Sequence, residues 1–278
     1  MPELPEMQAL AERLDAALAG AAVTRVEPIG FTALKTVAPP PEALVGREVA
    51  GVGRRGKFCV VEIGGGLRLL FHLSQAGRVD LERPPKSTRP RGSVVRLVTG
   101  ATGVLVREHG TQRKAGWWVL APGDDGPLAG LGPEPDDPAF AKLVRTGDSP
   151  RRLHTWLRDQ HVVAGIGRGY ADDICHRAQR SPFATLRGLD AGRRAALLGA
   201  VEGVLGEALA SERRREGGLS DARLGDRFSV HGRYGQPCPR CGEPLQRVSF
   251  ESHEITYCPR CQTGGRPLAD RRLSRLLR

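Results

Sequence analysis

Residues 238–261 read CPRCGEPLQRVSFESHEITYCPRC. Two C-x-x-C pairs, Cys238 with Cys241 and Cys258 with Cys261, stand sixteen residues apart. Each pair can present two thiolates to one metal ion, and the stretch between them is long enough for a hairpin that brings the pairs together. Val248–Phe250 and Ile255–Tyr257 fit as its strands. The reading is one structural Zn2+ in a four-Cys ribbon over 228–262. Four thiolates leave no open coordination position, which argues against a catalytic metal. Arginines in both knuckles, with Arg233 and Arg247 nearby, suit a ribbon that touches phosphates. Cys59 and Cys175 fall outside the pattern and read as buried thiols.

Moving toward the N-terminus, Gly165-Ile166-Gly167-Arg168-Gly169 separates two helical patterns. Leu153, Trp156 and Leu157 lead into it, and a helix with Ile174 and Ala178 on one face begins near Tyr170. A glycine turn of this kind can aim backbone N–H groups at an anion, with a positive helix end behind them. It equally suits a tight turn with no ligand. Asp190 caps a third helix carrying Leu197, Leu198, Val201, Val204, Leu205 and Leu209 in register. Residues 122–138 hold five prolines, four glycines and five acids, the composition of a linker. Before it, Val23 to about Leu120 is β-rich. Lys57–Ile63 and Leu67–Leu73 flank three glycines as a hairpin, as Val94–Val98 and Val104–Arg107 flank another turn. Pro84–Gly92 reads as a mobile basic loop.

The 278 residues allow two domains, and Lys plus Arg outnumber Asp plus Glu by 42 to 31. That balance favours a polyanionic partner, nucleic acid ahead of membrane. An acidic start and an amphipathic first apolar stretch argue against a signal peptide, so a bacterial cytoplasmic location is expected. In that compartment Cys is used for metals and thiols rather than disulfides.

The chain opens Met1-Pro2-Glu3-Leu4-Pro5-Glu6. Trimming of Met1 leaves Pro2 as a terminal secondary amine. Such amines titrate near 8, roughly two units below lysine, so a usable fraction is a free nucleophile able to form a Schiff base. Glu3 and Glu6 stand beside it for proton transfer. The same six residues also suit an ordinary helix start.

In order and spacing, several segments resemble the bacterial formamidopyrimidine-DNA glycosylase and endonuclease VIII family. They are Pro2-Glu3-Leu4-Pro5-Glu6, Arg54-Arg55-Gly56-Lys57, His72-Leu73, Trp156 to Gln160, Ala164 to Gly167, Tyr170-Ala171-Asp172 and Gly232 to Cys238. The resemblance covers nearly the whole chain, and the opening segment is closer to the formamidopyrimidine branch. It implies an α+β multi-domain protein. An N-terminal β-sandwich with a leading helix (1–121) and a linker (122–149) come first. A helical helix-two-turn-helix domain (150–227), the zinc finger (228–262) and a basic extension (263–278) follow. It further implies a monomer acting on duplex DNA that carries a damaged base or abasic site, with the lesion flipped from the stack. Catalysis would fall to Pro2, Glu3, Glu6 and Lys57, with His72 on a phosphate. Lys57 alone could be a solvated hairpin lysine, and His72 alone could be structural.

Departures from the family pattern mark the remaining positions. The family usually has lysine at His154, asparagine at Arg168 and arginine at His253, all phosphate contacts. Its loops fill the space left by the flipped base, in the formamidopyrimidine branch with methionine, arginine and phenylalanine; here Gln75, which resembles the endonuclease VIII choice, Gln112 and Lys114 align, beside Arg113. Glu216–Arg227 looks short where the formamidopyrimidine branch covers oxidised guanine. The implied substrate is then an oxidised pyrimidine, a ring-opened purine or a bulky adduct rather than 8-oxoguanine. A non-catalytic binder of damaged or distorted DNA with the same fold is the alternative. The leucines of Gln262–Arg278 are expected to pack on the ribbon.

Overall fold

The computed structural model describes residues 1–109, 113–220, 227–250 and 253–269. The chain divides into two units: Met1–Gly130 with the return segment from Leu209, and Leu131–Ala208 with the described residues from Arg227 onward.

Helix α1 (Leu4–Leu18) opens the first unit. Pro5 sits in its first turn, and Glu3 and Glu6 form a capping box that satisfies N–H groups the turn cannot. Met7, Leu10, Leu14 and Leu18 recur at helical spacing and are fully buried. Burying each contributes about 1.5–3 kcal/mol. Strands β1 (Val23–Pro28), β2 (Val49–Arg55), β3 (Phe58–Ile63), β4 (Leu67–His72), β5 (Gly77–Glu82), β6 (Ser93–Thr99), β7 (Gly103–Glu108) and β8 (Gly116–Leu120) follow. They make two four-stranded antiparallel sheets, ordered β1-β6-β7-β5 and β2-β3-β4-β8, which share one core with α1. In β4, Leu67, Leu69 and Phe71 enter that core, while Leu70 joins Val60 and Leu120 on the opposite face. Burial on both faces explains why Leu69, Leu70 and Phe71 follow one another without a polar residue between them.

Strand register decides which loops meet. Arg55 pairs with Phe58, Phe58 with His72, and His72 with Gly116. In the other sheet Gly77 pairs with Glu108, Arg107 with Ser93, and Pro28 with Val95. One end of the sandwich therefore collects the β2–β3 turn, the β4–β5 and β7–β8 links, and the segments leaving β1 and entering β6. Helix α1 joins them. Gly20 N–H reaches Val49 O at 2.9 Å and Val52 N–H reaches Asp15 Oδ1 at 2.7 Å, so α1 runs antiparallel to β2 with Pro2 toward this end.

The basic loop 84–92 is tied rather than loose. Arg96 is fully buried, donates to Glu82 and Glu27, and reaches Thr88 O at 2.5 Å; Glu82 also accepts Lys86 N–H. A guanidinium buried between two carboxylates needs every donor matched, and the loop carbonyl completes the set. In the return segment, Arg13 Nε donates to Gly217 O at 2.7 Å, and Leu219 exchanges backbone hydrogen bonds with Val79.

The second unit contains α2 (Pro138–Thr146), α3 (Leu153–Leu157), α4 (Arg168–Arg177) and α5 (Ala191–Arg213, through Ala208). Helix α2 lies within residues 122–149, the stretch expected to be linker. Asp137 Oδ1 accepts Ala139 N–H at 2.8 Å and Pro138 takes the first turn, so signals that punctuate a loop here start a helix. Phe140 stacks on Trp156 at 6.0 Å. Asp190 caps α5 through Arg193 N–H at 2.8 Å. The ribbon hairpin is β9 (Gln246–Phe250) with β10 (His253–Tyr257), followed by α6 (Pro259–Thr263). Leu268 packs against Val248, Ile255 and Tyr257, so the extension begins on the ribbon as expected. Leu273, Leu276 and Leu277 lie outside the described residues.

Candidate active site and metal centre

The collecting end of the sandwich holds the first group of predicted residues. Pro2 is buried, and Glu3 and Glu6 are 2% and 1% exposed. Glu6 Oε2 accepts the Glu3 backbone N–H at 2.8 Å, so the second acid fixes the first at the helix N-terminus. Lys57 is buried in the β2–β3 turn. His72, at the end of β4, is held neutral: burial, with the charge of Lys57 beside it, lowers its pKa to about 4. Its Nδ1 accepts Ser74 N–H at 3.3 Å, which puts the remaining ring proton on Nε2 as a donor. Gln75, Arg113 and Lys114 are exposed on the β4–β5 and β7–β8 links; Gln112 lies outside the described residues. Sequence reasoning passed over Glu108, whose carboxylate accepts Lys114 N–H at 2.8 Å and Ala115 N–H at 3.2 Å and so fixes one foot of the β7–β8 link. An acid closing a strand gave no distinctive signal.

In the second unit, Arg168 at the start of α4 and His253 at the start of β10 come together, Nη1 to Nδ1 at 3.2 Å. Arg233 is half-buried in the turn that leads to the first knuckle. His154 corrects the sequence reading. It is 1% exposed, with Nε2 3.2 Å from Asp172 Oδ1, so it faces inward and not toward a phosphate. The glycine turn is also more constrained than an open anion nest. Gln160 Oε1 takes the Gly165 N–H at 3.0 Å while its amide donates to Ile166 O at 2.7 Å. Gly165 has φ +95°, and a Cβ at Gly169 would lie 2.3 Å from the Phe228 ring. Two of the three glycines thus serve turn geometry and packing.

Two further acids were missed. Asp172, fully buried, accepts His231 Nδ1–H at 2.6 Å and Thr256 N–H at 3.1 Å besides facing His154. Burial opposes its charge, yet the two histidines outweigh that and hold its pKa below the usual range. Asp173 accepts the N–H groups of Ser229, Val230 and His231 at 2.6–3.2 Å. There burial outweighs those three donors and, with the Asp172 charge alongside, pushes its pKa up to about 6. These acids stitch α4 to the segment entering the ribbon and to β10.

The sulfurs of Cys238, Cys241, Cys258 and Cys261 lie within 4.8 Å of one another, with Cys241–Cys258 at 3.5 Å and Cys238–Cys261 at 4.0 Å. Four thiolates bound tetrahedrally at ~2.3 Å would stand ~3.8 Å apart, so the set fits one zinc ion. His176 Nε2 approaches Cys238 Sγ at 3.1 Å, placed to steady that ligand. The ion would cross-link the two knuckles and supply no reactivity. Cys59 and Cys175 are buried, and burial pushes both thiols up, away from reactivity. Among the described residues no helix is long and apolar enough to cross a membrane.

Comparison with known proteins follows this division. Residues 1–117 match the formamidopyrimidine-DNA glycosylase N-terminal domain, and residues 235–264 match a zinc finger found in FPG and IleRS. A formamidopyrimidine-DNA glycosylase of Roseiflexus sp. is 34% identical over 94% of this chain and 100% of its own. An uncharacterized formamidopyrimidine-DNA glycosylase-like protein of Mycobacterium tuberculosis is 45% identical over 51% of this chain and 88% of its own. The fold is also that of wild-type Lactococcus lactis Fpg (MutM) solved with DNA containing N7-benzyl-Fapy-dG. That match has a TM-score of 0.82 at 23% identity, over 94% of this chain and 100% of that one.

Proposed function

From the premise that this chain belongs to the formamidopyrimidine-DNA glycosylase family, we propose that it excises a damaged base from duplex DNA and cleaves the resulting abasic site. The observation that carries this is the gathering of Pro2, Glu3, Glu6 and Lys57 at one end of the sandwich, with both carboxylates buried.

With Met1 removed, the Pro2 nitrogen attacks the sugar carbon bearing the base. The carbon–base bond breaks with its electrons leaving on the base, and the Pro2 proton is lost. Glu3 protonates the ring oxygen, the sugar opens, and an iminium links protein and sugar. That cation acidifies the adjacent sugar carbon; proton loss there expels the 3′ phosphate, and a second elimination can release the 5′ phosphate. Glu6 acts through Glu3 by anchoring its backbone. Lys57 and the Nε2–H of His72 are suited to hold the lesion phosphate. Arg168, His253 and Arg233 are suited to backbone phosphates on the second unit, and Gln75, Gln112, Arg113 and Lys114 to the strand beside the lesion. His154 drops out of this set. The zinc ribbon holds β9 and β10 in the shape that presents His253.

Without methionine or phenylalanine at the loop positions, and with a short stretch at Glu216–Arg227, the favoured substrate is an oxidised pyrimidine, a ring-opened purine or a bulky adduct. Single-turnover excision on matched duplexes should rank 8-oxoguanine below these; a clear lead for 8-oxoguanine would overturn that assignment. For the chemistry, borohydride should trap mature protein covalently on a duplex with one abasic site. P2G and a chain retaining Met1 should give far less adduct. Tight binding with no adduct from mature protein would instead indicate a lesion binder without catalysis.

A further inference from the structure

We infer that Phe31 is a DNA-contacting residue that packs on an unstacked base face beside the lesion, an inference that rests on duplex DNA being the partner proposed above. Phe31 is 95% exposed. A single exposed apolar side chain is ordinary on a protein surface, but three features set this one apart.

The turn that carries it is fixed. Phe31–Ala33 form one 3-10 turn with Ala33 buried. Ile29 and Gly30 N–H groups both reach Val94 O, at 3.0 and 2.8 Å, and Lys35 N–H reaches Trp117 O at 2.9 Å. The turn is thus bonded to the start of β6 in one sheet and the start of β8 in the other, so the ring is held outward by the scaffold. Holding an aromatic ring in water adds no stability, whereas a preformed contact lowers the ordering cost of binding.

The turn also stands at the end of the sandwich where Lys57, His72 and Gln75 gather, because Gly116 pairs with His72 and Val95 with Pro28. Charge then selects the partner. Lys35, Arg91, Arg113 and Lys114 are exposed on the segments that meet here, and the acid among them, Glu108, is buried on backbone N–H groups. An apolar ring within a cationic rim suits a polyanion that also offers flat apolar faces, which is a nucleic acid with a disturbed stack. By contrast Tyr234, also exposed, already carries the Arg247 guanidinium at 4.4 Å.

The test uses the full chain and duplexes that cannot be cleaved, one with a tetrahydrofuran abasic analogue and one undamaged. F31A should bind the analogue duplex about tenfold more weakly, with a smaller loss on the undamaged one. Its salt slope should stay unchanged, because no phosphate contact is removed. The melting temperature should stay with wild type, since an exposed ring contributes little packing. F31W emission, measured against wild type, should fall and become shielded from iodide when the analogue duplex is added. Wild-type affinity of F31A for both duplexes, or F31W equally open to iodide in the complex, would overturn the inference. These readouts separate it from the catalytic reading. A Phe31 effect without a borohydride adduct would retire the chemistry alone, and an adduct with unaltered F31A binding would retire the stacking alone.

Discussion

Two pairs of buried acids, Glu3 with Glu6 on α1 and Asp172 with Asp173 on α4, look alike in burial and differ in what holds them. Glu6 binds the backbone of Glu3 within one helix turn, next to the proline proposed above as the nucleophile. Asp172 and Asp173 reach away from their own helix and take N–H groups from 229–231 and Thr256, and a ring proton from His231. The first arrangement places buried acids beside Pro2. The second joins separate segments into one body. Burial and proximity alone do not distinguish a proton-transfer acid from a structural one; the origin of the donors does.

The same change made in each pair should give opposite results. E3Q removes the acid proposed above to protonate the sugar while keeping size and capping capacity. It should lower single-turnover base excision by about 10³-fold, near the middle of the range for general acid catalysis, with the thermal transition within a degree or two of wild type. Comparable excision by E3Q and wild type would dissolve the contrast from the catalytic side.

D172N removes the charge from a fully buried site facing two histidines. Loss of one partner from such a cluster costs about 3 kcal/mol, so the melting temperature should drop by several degrees and chelators should strip zinc faster. Borohydride trapping at saturating protein should persist below the transition. An unaltered melting curve for D172N would mean that the acids of α4 do not stitch the second unit together.

The second unit was largely legible in the sequence because its signals are local. Metal-ligand spacing gave the ribbon, and glycine clustering gave the turn between α3 and α4. His154 was misread for a complementary reason: its partner Asp172 stands eighteen residues later across that turn, so the histidine looked solitary. In the first unit the candidate residues were named one by one, yet nothing in the spacing of Lys57, His72 and Lys114 says that they share one end. That follows from the ladder through Phe58, His72 and Gly116, and register is a property of paired strands rather than of any one segment. Phe31 was invisible for the same reason, since its neighbours belong to β6 and β8.

The smallest expected effect sharpens the contrast at His72, a titratable group of the first unit that the fold keeps neutral. Burial and the nearby Lys57 charge lower its pKa to about 4, against about 6.5 in an unfolded chain. Between those values the unfolded state binds the extra proton, so stability is complete above pH 6.5 and is lost as pH falls toward 4. The full difference is on the order of 3 kcal/mol. Glutamine at this position can still accept Ser74 N–H but cannot take up a proton. H72Q should therefore melt more like itself at pH 4.5 and pH 7 than wild type does, with the gap between the two proteins narrowing or reversing on the acid side. Parallel melting curves across that range would show that His72 is not held neutral by the fold. The Nε2–H donor assigned to the lesion phosphate would then have to come from a protonated ring instead.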